Sequence, residues 1–152
     1  MISGINRGLN IGRDTIYSGT VGAIFEANAL GVPALAFSTS PAYYDRAIQH
    51  LDAIYDFICS NQLMEKNDLY NINIPNDPVG FRITRQGGPY YSDDFKLVGD
   101  NRYQACGICI HENKGDLTLD TDAVVSGFIS ISPLTVSRVD LGLYEKLKEL
   151  NK

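Results

Sequence analysis

The sequence predicts an α/β fold with a parallel sheet, because helical and extended patterns alternate through its first half. Apolar residues recur at helical spacing over residues 19–30, and Gly31 follows as a residue that commonly ends helices. A continuous apolar run at residues 33–38 is typical of a buried parallel strand. A second helical stripe and an alternating stretch at residues 69–74 complete the order helix, strand, helix, strand, which is half of an α/β unit.

The second helix is predicted to begin at Ser40 and Pro41, which suit the N-cap and the first helical position. Its apolar residues recur at i, i+3, i+4 and i+7, so one face is expected to be buried. That face comprises Ala47, Ile48, Leu51, Ile54, Tyr55 and Ile58. Residues 69–74 alternate in polarity and stop at Pro75, which predicts a half-buried strand.

The pattern changes at Val79, where short strands separated by turn-rich stretches replace the alternating helices and strands. Strands are predicted at residues 81–85, 103–110 and 128–131, and we expect them to form an antiparallel extension. Residues 141–150 are predicted to be helical, with Leu143, Leu147 and Leu150 on one side. We therefore divide the chain into an α/β core portion, residues 1–78, and a β-rich arm with a C-terminal helix, residues 79–152.

The charge and hydrophobicity of the sequence argue against two kinds of binding partner, nucleic-acid polymers and membranes. The chain has 152 residues and a net charge of −5 without basic runs, whereas binding to a nucleic-acid polymer needs clustered Lys and Arg. Three cysteines are an odd number and too few for a disulfide framework. The sequence contains neither a signal-peptide pattern nor an apolar run long enough to cross a membrane, so we expect no membrane partner and a cytoplasmic location.

The first 21 residues hold the strongest functional pattern, a glycine-punctuated loop that leads into a helix. Ser18, Gly19 and Thr20 at the helix start offer backbone N–H groups and hydroxyls near the positive end of the helix dipole, which suits a phosphate. Ser18 also suits a plain N-cap, and the two roles are compatible. Asn6 offers a carboxamide oxygen to a hard cation such as Mg²⁺ or Mn²⁺, although asparagine in such a loop is also a common turn former.

Other polar residues carry weaker signals. Asp14 could assist a water molecule, but a carboxylate in a tight loop usually accepts hydrogen bonds from backbone amides. Arg82 and Arg85 could face a substrate or simply lie exposed on a strand. Cys106 and Cys109 lack a second cysteine pair to complete a zinc site, and the sequence has no G-x-S-x-G nucleophile elbow.

Residues 3–21 read Ser-Gly-Ile-Asn-x-Gly-x-Asn-x-Gly-x-Asp, then Tyr-Ser-Gly-Thr-Val, and a Gly-Val-Pro-Ala-Leu-Ala strand follows. This combination resembles the SurE family of metal-dependent nucleoside monophosphate phosphatases. Residues 70–75, 82–86 and 121–134 resemble it too, so the likeness covers nearly the whole chain. It implies the C-terminal part of a three-layer, Rossmann-like SurE fold with a β-hairpin extension and a C-terminal helix.

The same resemblance implies a function. It assigns a phosphate-binding role to Ser18, Gly19 and Thr20 and a metal-ligand role to Asn6, with Mg²⁺ or Mn²⁺ as the cofactor. The substrate would be a nucleoside 5′- or 3′-monophosphate or another small phosphomonoester. The arm after the sheet exchanges between subunits in the family, which implies a homodimer or homotetramer.

One departure from the family limits these expectations. The family pattern begins with a strand that ends in Asn-Asp-Asp-Gly, whose aspartates hold the metal, and the present sequence has no such motif. Its Asp93-Asp94 pair follows a loop-like stretch and is not an equivalent. We therefore expect these 152 residues to have negligible phosphatase activity by themselves. The alternative hypothesis is a non-catalytic or split-gene fragment that retains the phosphate loop and the oligomerising arm.

Overall fold

A five-stranded mixed sheet forms the centre of the molecule. The structure is a computed structural model that describes residues 1–137 and 139–151. The strands of the sheet lie in the order β1-β2-β3-β7-β4, and β5 and β6 pair separately as a hairpin. The strands are β1 (Ile2–Arg7), β2 (Ala34–Thr39), β3 (Leu69–Ile74), β4 (Gly80–Ile83), β5 (Phe95–Gly99), β6 (Arg102–Ala105) and β7 (Phe128–Pro133).

Sheet membership corrects one expectation from the sequence. Strands β2 and β3 are parallel as predicted, and β1 adds a third parallel strand within residues that were expected to be loop. Strand β7 joins β3 in antiparallel pairing, and β4 joins β7 in parallel pairing. Both β4 and β7 therefore belong to the main sheet, and among the described residues β5 and β6 alone form an antiparallel hairpin outside it. The expected strand at residues 103–110 ends at Ala105. The boundary proposed between residues 78 and 79 stays a prediction.

Helix α1 (Gly19–Ala29) confirms the helix that was expected at residues 19–30. Ser18 caps it by accepting a hydrogen bond from the Val21 N–H at 3.1 Å. At the other end Gly31 has a φ of +74°, and it donates to Asn28 while Val32 donates to Ala27, each at 2.9 Å. This pair of bonds is the Schellman arrangement, which favours glycine at the left-handed position.

The remaining helices are shorter than α1. They are α2 (Tyr44–Ala47), α3 (Leu51–Ser60), α4 (Leu63–Lys66), α5 (Asp120–Val125) and α6 (Leu141–Leu147). The predicted helix after Ser40 is interrupted by 3₁₀ turns, and the Ser40 hydroxyl donates to Asn76 Oδ1 at 2.6 Å instead of capping. Within its predicted apolar face Ile48 and Tyr55 are exposed, whereas Ala47, Ile54 and Ile58 are buried.

Strand β3 is buried along its whole length, whereas the alternating pattern predicted a half-buried strand. It lies in the middle of the sheet, between β2 and β7, with chain packed on both faces. The polar residues of its alternation, Asn71 and Asn73, face a buried polar layer instead of solvent. The alternation of polar and apolar residues therefore predicted which side chains share a face of β3, but it did not predict that both faces are buried.

The two faces of the sheet differ in chemistry. One packs against α2, α3 and α4 through a fully apolar cluster that includes Phe37, Ile72 and Ile131. The other packs against α1 only near β2 and β3, where Val21 and Ile24 contact small residues of the sheet. The rest of that second face is polar, with Ser38, Asn71, Asn73, Ser130 and Ser132 buried on it. This polar layer positions the candidate site.

The arm leaves large apolar side chains at the surface. Phe95, Leu97 and Tyr103 of the hairpin are each more than half exposed, and the leucines of α6 are exposed as well. A two-stranded hairpin alone is marginally stable in water, so this part of the chain has unused apolar surface. Within the described residues, no helix has both the length and the apolar character needed to cross a bilayer.

Candidate functional site

The glycine loop, residues 8–18, is held down on the polar layer through Asn10. The Asn10 backbone oxygen accepts hydrogen bonds from Asn71 Nδ2 at 2.7 Å and Asn73 Nδ2 at 2.9 Å. Its backbone N–H donates to Ser38 Oγ at 3.1 Å, and Ser38 in turn donates to Asn73 Oδ1 at 2.6 Å. Side chains of β2 and β3 thus supply hydrogen-bond partners for backbone groups of the loop that are buried away from water.

Asp120 fixes the loop from the other side. Its Oδ2 accepts from the Gly12 N–H at 3.0 Å, while Oδ1 accepts from Gly87 at 2.7 Å and Thr121 at 2.8 Å. Gly12 has a φ of +55°, and a Cβ there would collide with the Gly88 carbonyl oxygen. Only glycine fits this crossing, where the loop meets the segment that follows β4.

The Asp120 carboxyl is an unusual group because it is almost completely buried. Burial raises its pKa, and the hydrogen bonds from the three backbone N–H groups oppose that rise without cancelling it. Asp120 was not among the site residues predicted from the sequence. The only signal was its position immediately before the family-like stretch of residues 121–134.

Asp14 has the structural role that the sequence favoured. Its Oδ2 accepts from the backbone N–H groups of Tyr91 at 2.9 Å and Tyr90 at 3.3 Å. The glycine loop is therefore tied to residues 90–91 as well as to Asp120. These contacts leave the start of α1 in a fixed position.

Ser18, Gly19 and Thr20 lie together at the N-terminus of α1. The Ser18 hydroxyl is engaged as the N-cap, and this confirms the structural alternative for that side chain. The N–H groups of Gly19 and Thr20 are the first two of the helix and have no partner among the described residues. Gly19 is exposed, so the free donors and the positive end of an 11-residue helix are open to solvent.

Asn6 lies apart from that group, near the end of β1. Its Nδ2 donates to Gly8 O at 2.8 Å and to Asn10 Oδ1 at 3.3 Å, which leaves Oδ1 as the uncommitted atom. The described residues contain no group of three or more His, Cys, Asp or Glu able to hold a metal ion. Asn6 can therefore supply one neutral ligand, but these residues do not form a metal site by themselves.

A cleft of about 530 Å³ opens beside the start of α1. Ser18, Gly22 and Phe25 form one wall, and the chain after β7 forms the opposite wall. The floor contains Asn71 and Asp120, both buried. Ser18 is thus common to the cleft and the helix N-terminus, whereas Asn6 does not line this cleft within the described chain.

The weaker candidates of the sequence do not assemble into catalytic arrays. Arg85 forms an exposed ion pair with Asp116 at 3.1 Å, and the Arg82 guanidinium lies over the Phe128 ring at 4.0 Å. Cys106 and Cys109 are free and exposed. His111 Nε2 lies 2.8 Å from Asp122 Oδ1, at an angle that does not make a directed hydrogen bond.

The raised pKa of Asp120 generates a testable pH dependence. A carboxyl whose folded-state pKa exceeds its unfolded value adds stability at low pH, and this stability is lost as pH rises through the folded pKa. The difference in unfolding free energy between the wild type and Asp120→Asn should therefore fall as pH increases above about 3.9, the ordinary pKa of an aspartate carboxyl. Urea denaturation across this range measures it.

Asp116 provides a matched control of opposite sign. Hydrogen bonds from the Thr118 hydroxyl and backbone N–H lower its pKa, so the stability it contributes is lost as pH falls through that lowered value. The difference in unfolding free energy between the wild type and Asp116→Asn should therefore rise as pH increases. If the Asp120 difference also rises, the three amide bonds outweigh burial and our account of this carboxyl is wrong.

Comparison with known proteins places this arrangement in a family. The family model described as Survival protein SurE matches residues 1–93. A 5′-nucleotidase SurE from Pelotomaculum thermopropionicum is 35% identical over 163 residues, covering 100% of this chain and 61% of that protein. A 5′/3′-nucleotidase SurE from Proteus mirabilis is 38% identical, covering 100% of this chain and 63% of that protein.

The crystal structure of SurE protein from Aquifex aeolicus matches with a TM-score of 0.72 and 28% identity, over 99% of this chain and 64% of that one. This likeness confirms the predicted Rossmann-like α/β fold. The chain spans less than two thirds of the length of these relatives. Because the family model covers more than half of the residues, the chain belongs to the SurE family.

Proposed function

We propose that this chain contributes the phosphate-binding part of a metal-dependent nucleoside monophosphate phosphatase, a 5′- or 3′-nucleotidase. The observation that carries the proposal is the pair of unpartnered N–H groups of Gly19 and Thr20 at the start of α1. The names of the relatives support nucleotides as the substrate class. A small phosphomonoester, and not a nucleic-acid polymer, suits a chain of net charge −5. The cytoplasmic location stays a prediction.

The proposed phosphate contacts follow from the geometry of the helix start. Two N–H groups point along the helix axis toward its N-terminal end, where the helix dipole also favours negative charge. Ser18 holds the Val21 N–H, so the hydroxyl fixes the cap and leaves the first two donors for a ligand. The ties to Asn10 and Asp120 keep the loop in this conformation before any ligand arrives.

The metal part of the proposal concerns Asn6 and a partner strand. A divalent cation in such an enzyme offsets the charge on the phosphoryl oxygens. Asn6 Oδ1 suits Mg²⁺ or Mn²⁺ but is neutral, so carboxylates from outside these residues must complete the site. Strand β1 is an edge strand of the sheet, and its free edge is where a further strand bearing the Asp-Asp pair would add.

The first prediction is that the isolated 152-residue chain has negligible phosphatase activity. Asn6 alone cannot hold a catalytic cation, and without the cation its charge stabilisation is lost. Hydrolysis of AMP should be measured with excess Mn²⁺ using pure protein, with EDTA as the control. Robust turnover that EDTA abolishes would show that the chain assembles a complete metal site, against our proposal and against the non-catalytic alternative.

The second prediction is that the loop binds phosphate weakly without metal. Each helix-end interaction contributes about 0.3–1 kcal/mol when exposed. A hydrogen bond to a charged group contributes about 1.5–3 kcal/mol, so the two N–H donors give roughly 4 kcal/mol, which corresponds to millimolar affinity. An NMR titration with inorganic phosphate should shift the amides of Gly19, Thr20 and Val21.

The double variant Ser18→Ala with Thr20→Val should abolish these shifts, because the cap and the second hydroxyl are lost. Thr135→Val, which alters a hydroxyl of the cleft away from the helix start, serves as the control and should leave them unchanged. Shifts centred on residues 106–111, with the loop silent, would place the anion site elsewhere and contradict the proposal.

We also propose that the arm mediates self-association into a dimer or tetramer. Leu97 and Tyr103 are cross-strand neighbours of the hairpin, and both are more than half exposed. Apolar pairs of this kind on an otherwise marginal hairpin are suited to burial against a second copy. The helix α6 offers a second exposed apolar surface of the same type.

The third prediction tests this arm by light scattering at high protein concentration. The wild type should be oligomeric, and Leu97→Lys with Tyr103→Glu should shift it toward monomer. The new charges are opposite in sign, so the hairpin pairing and the net charge are kept. Ile48→Lys with Tyr55→Glu makes the same change at exposed positions outside the arm and should not alter the mass. A monomeric wild type would refute the proposal.

A further inference from the structure

We propose that the cleft beside α1 binds the nucleoside part of the substrate, while the phosphate occupies the helix start. This inference rests on the proposed function, since it needs a nucleotide whose phosphate lies at Gly19 and Thr20. The cleft volume of about 530 Å³ falls within the range of about 300–1,000 Å³ that is usual for small-molecule sites. Ser18 lines the cleft and also caps α1, so the two subsites are continuous.

The floor of the cleft is a row of polar side chains that crosses three strands. Asn71 of β3 lies opposite Ser132 of β7, and the Ser132 hydroxyl lies 2.7 Å from that of Thr84, just after β4. All three are buried, at positions where apolar side chains would ordinarily pack. A buried polar group is costly without a partner, and the Ser132 and Thr84 hydroxyls partner each other, which leaves Asn71 as the member of the row with an unpaired atom in the described part of the chain.

Within the chain that the structure describes, the Asn71 side chain has one unpaired hydrogen-bond acceptor. Its Nδ2 donates to the Asn10 backbone oxygen, but its Oδ1 is buried and has no hydrogen-bond partner among the described residues. A buried acceptor without a partner costs about 1–3 kcal/mol. The amine of a nucleobase or a ribose hydroxyl supplies the donor that this oxygen lacks, whereas the dianionic phosphate of a nucleoside monophosphate carries no donor.

The walls of the cleft suit the flat faces of a base. The apolar side chains that line the cleft include Ile16 of the glycine loop, Phe25 of α1, and Leu134 and Val136 after β7. Stacking of a base on an aromatic side chain tolerates every base, because each presents a π-face. The polar floor and apolar walls therefore match a nucleoside in both respects.

Charge separates the two subsites. The Asp120 carboxyl lines the cleft, and Arg85 at its rim is paired with Asp116. A carboxylate facing the cleft disfavours a phosphate there, and a neutral nucleoside avoids this repulsion. At the start of α1, next to the cleft, the free N–H groups favour a negatively charged phosphate instead.

Gly22 provides a clean way to test the cleft. It lies in α1 and lines the cleft, and a Cβ built on it would meet nothing within 4 Å. Gly22→Leu should therefore place a side chain in the cleft and narrow it, and leucine also favours a helix more than glycine does. Ala29→Leu adds a similar side chain at an exposed position of the same helix and is the matched control.

The experiment is an NMR titration of the full chain with AMP, adenosine and inorganic phosphate. We expect AMP to bind about tenfold more tightly than phosphate and to shift the amides of Gly22, Phe25 and Thr84 as well as the helix start. Gly22→Leu should raise the Kd for AMP about tenfold, to that of phosphate, and leave the Kd for phosphate unchanged. Ala29→Leu should change neither.

The outcomes separate this inference from the proposed function. Leu9, Asn76 and Tyr90 line a separate pocket. If phosphate shifts the Gly19 and Thr20 amides but AMP binds no better, or if AMP shifts the amides of that separate pocket instead, the cleft beside α1 is not the nucleoside site. Equal AMP affinity in the wild type and Gly22→Leu overturns it too. If adenosine fills the cleft while phosphate leaves the helix start silent, the cleft assignment stands and the proposed phosphate site fails.

Discussion

The Asp120 carboxylate is the interaction on which the site depends, because it joins three segments that are far apart in sequence. It binds the backbone N–H groups of Gly12, Gly87 and Thr121, which belong to the glycine loop, the chain after β4 and helix α5. The bond to Gly12 alone spans 108 residues. Loss of this carboxylate would leave three buried N–H groups without partners and would free the loop that presents the start of α1.

The sheet explains why such a carboxylate is needed. Along β2 and β3, the face toward α1 changes from small apolar residues to Ser38, Asn71 and Asn73. A helix can pack on the apolar part, but only a loop with many backbone donors and acceptors can cover the polar part. The glycine loop fills that role, and its fixed shape places a helix N-terminus and a cleft side by side.

Local patterns predicted the elements well, but not the contacts between them. Ser18, Gly31 and the apolar run of β2 gave helix and strand limits that the structure confirms, because capping and burial act within a few residues. The place of β4 and β7 in the main sheet depends on pairing over long separations, which short alternating stretches do not encode. Asp120 was missed for the same reason, and so was the hydrogen bond of the Ser40 hydroxyl to Asn76, which joins residues 36 apart.

The full burial of β3 also divides the chain by local stability. Its amides are paired on both sides within the sheet and can exchange with solvent only when the sheet itself opens. Among the residues that the structure describes, the hairpin of β5 and β6 has no strand neighbour beyond its own pair, and every residue of both strands is exposed. Its amides can therefore exchange through local opening that leaves the sheet intact, and burial of the hairpin by a second copy would slow that exchange selectively.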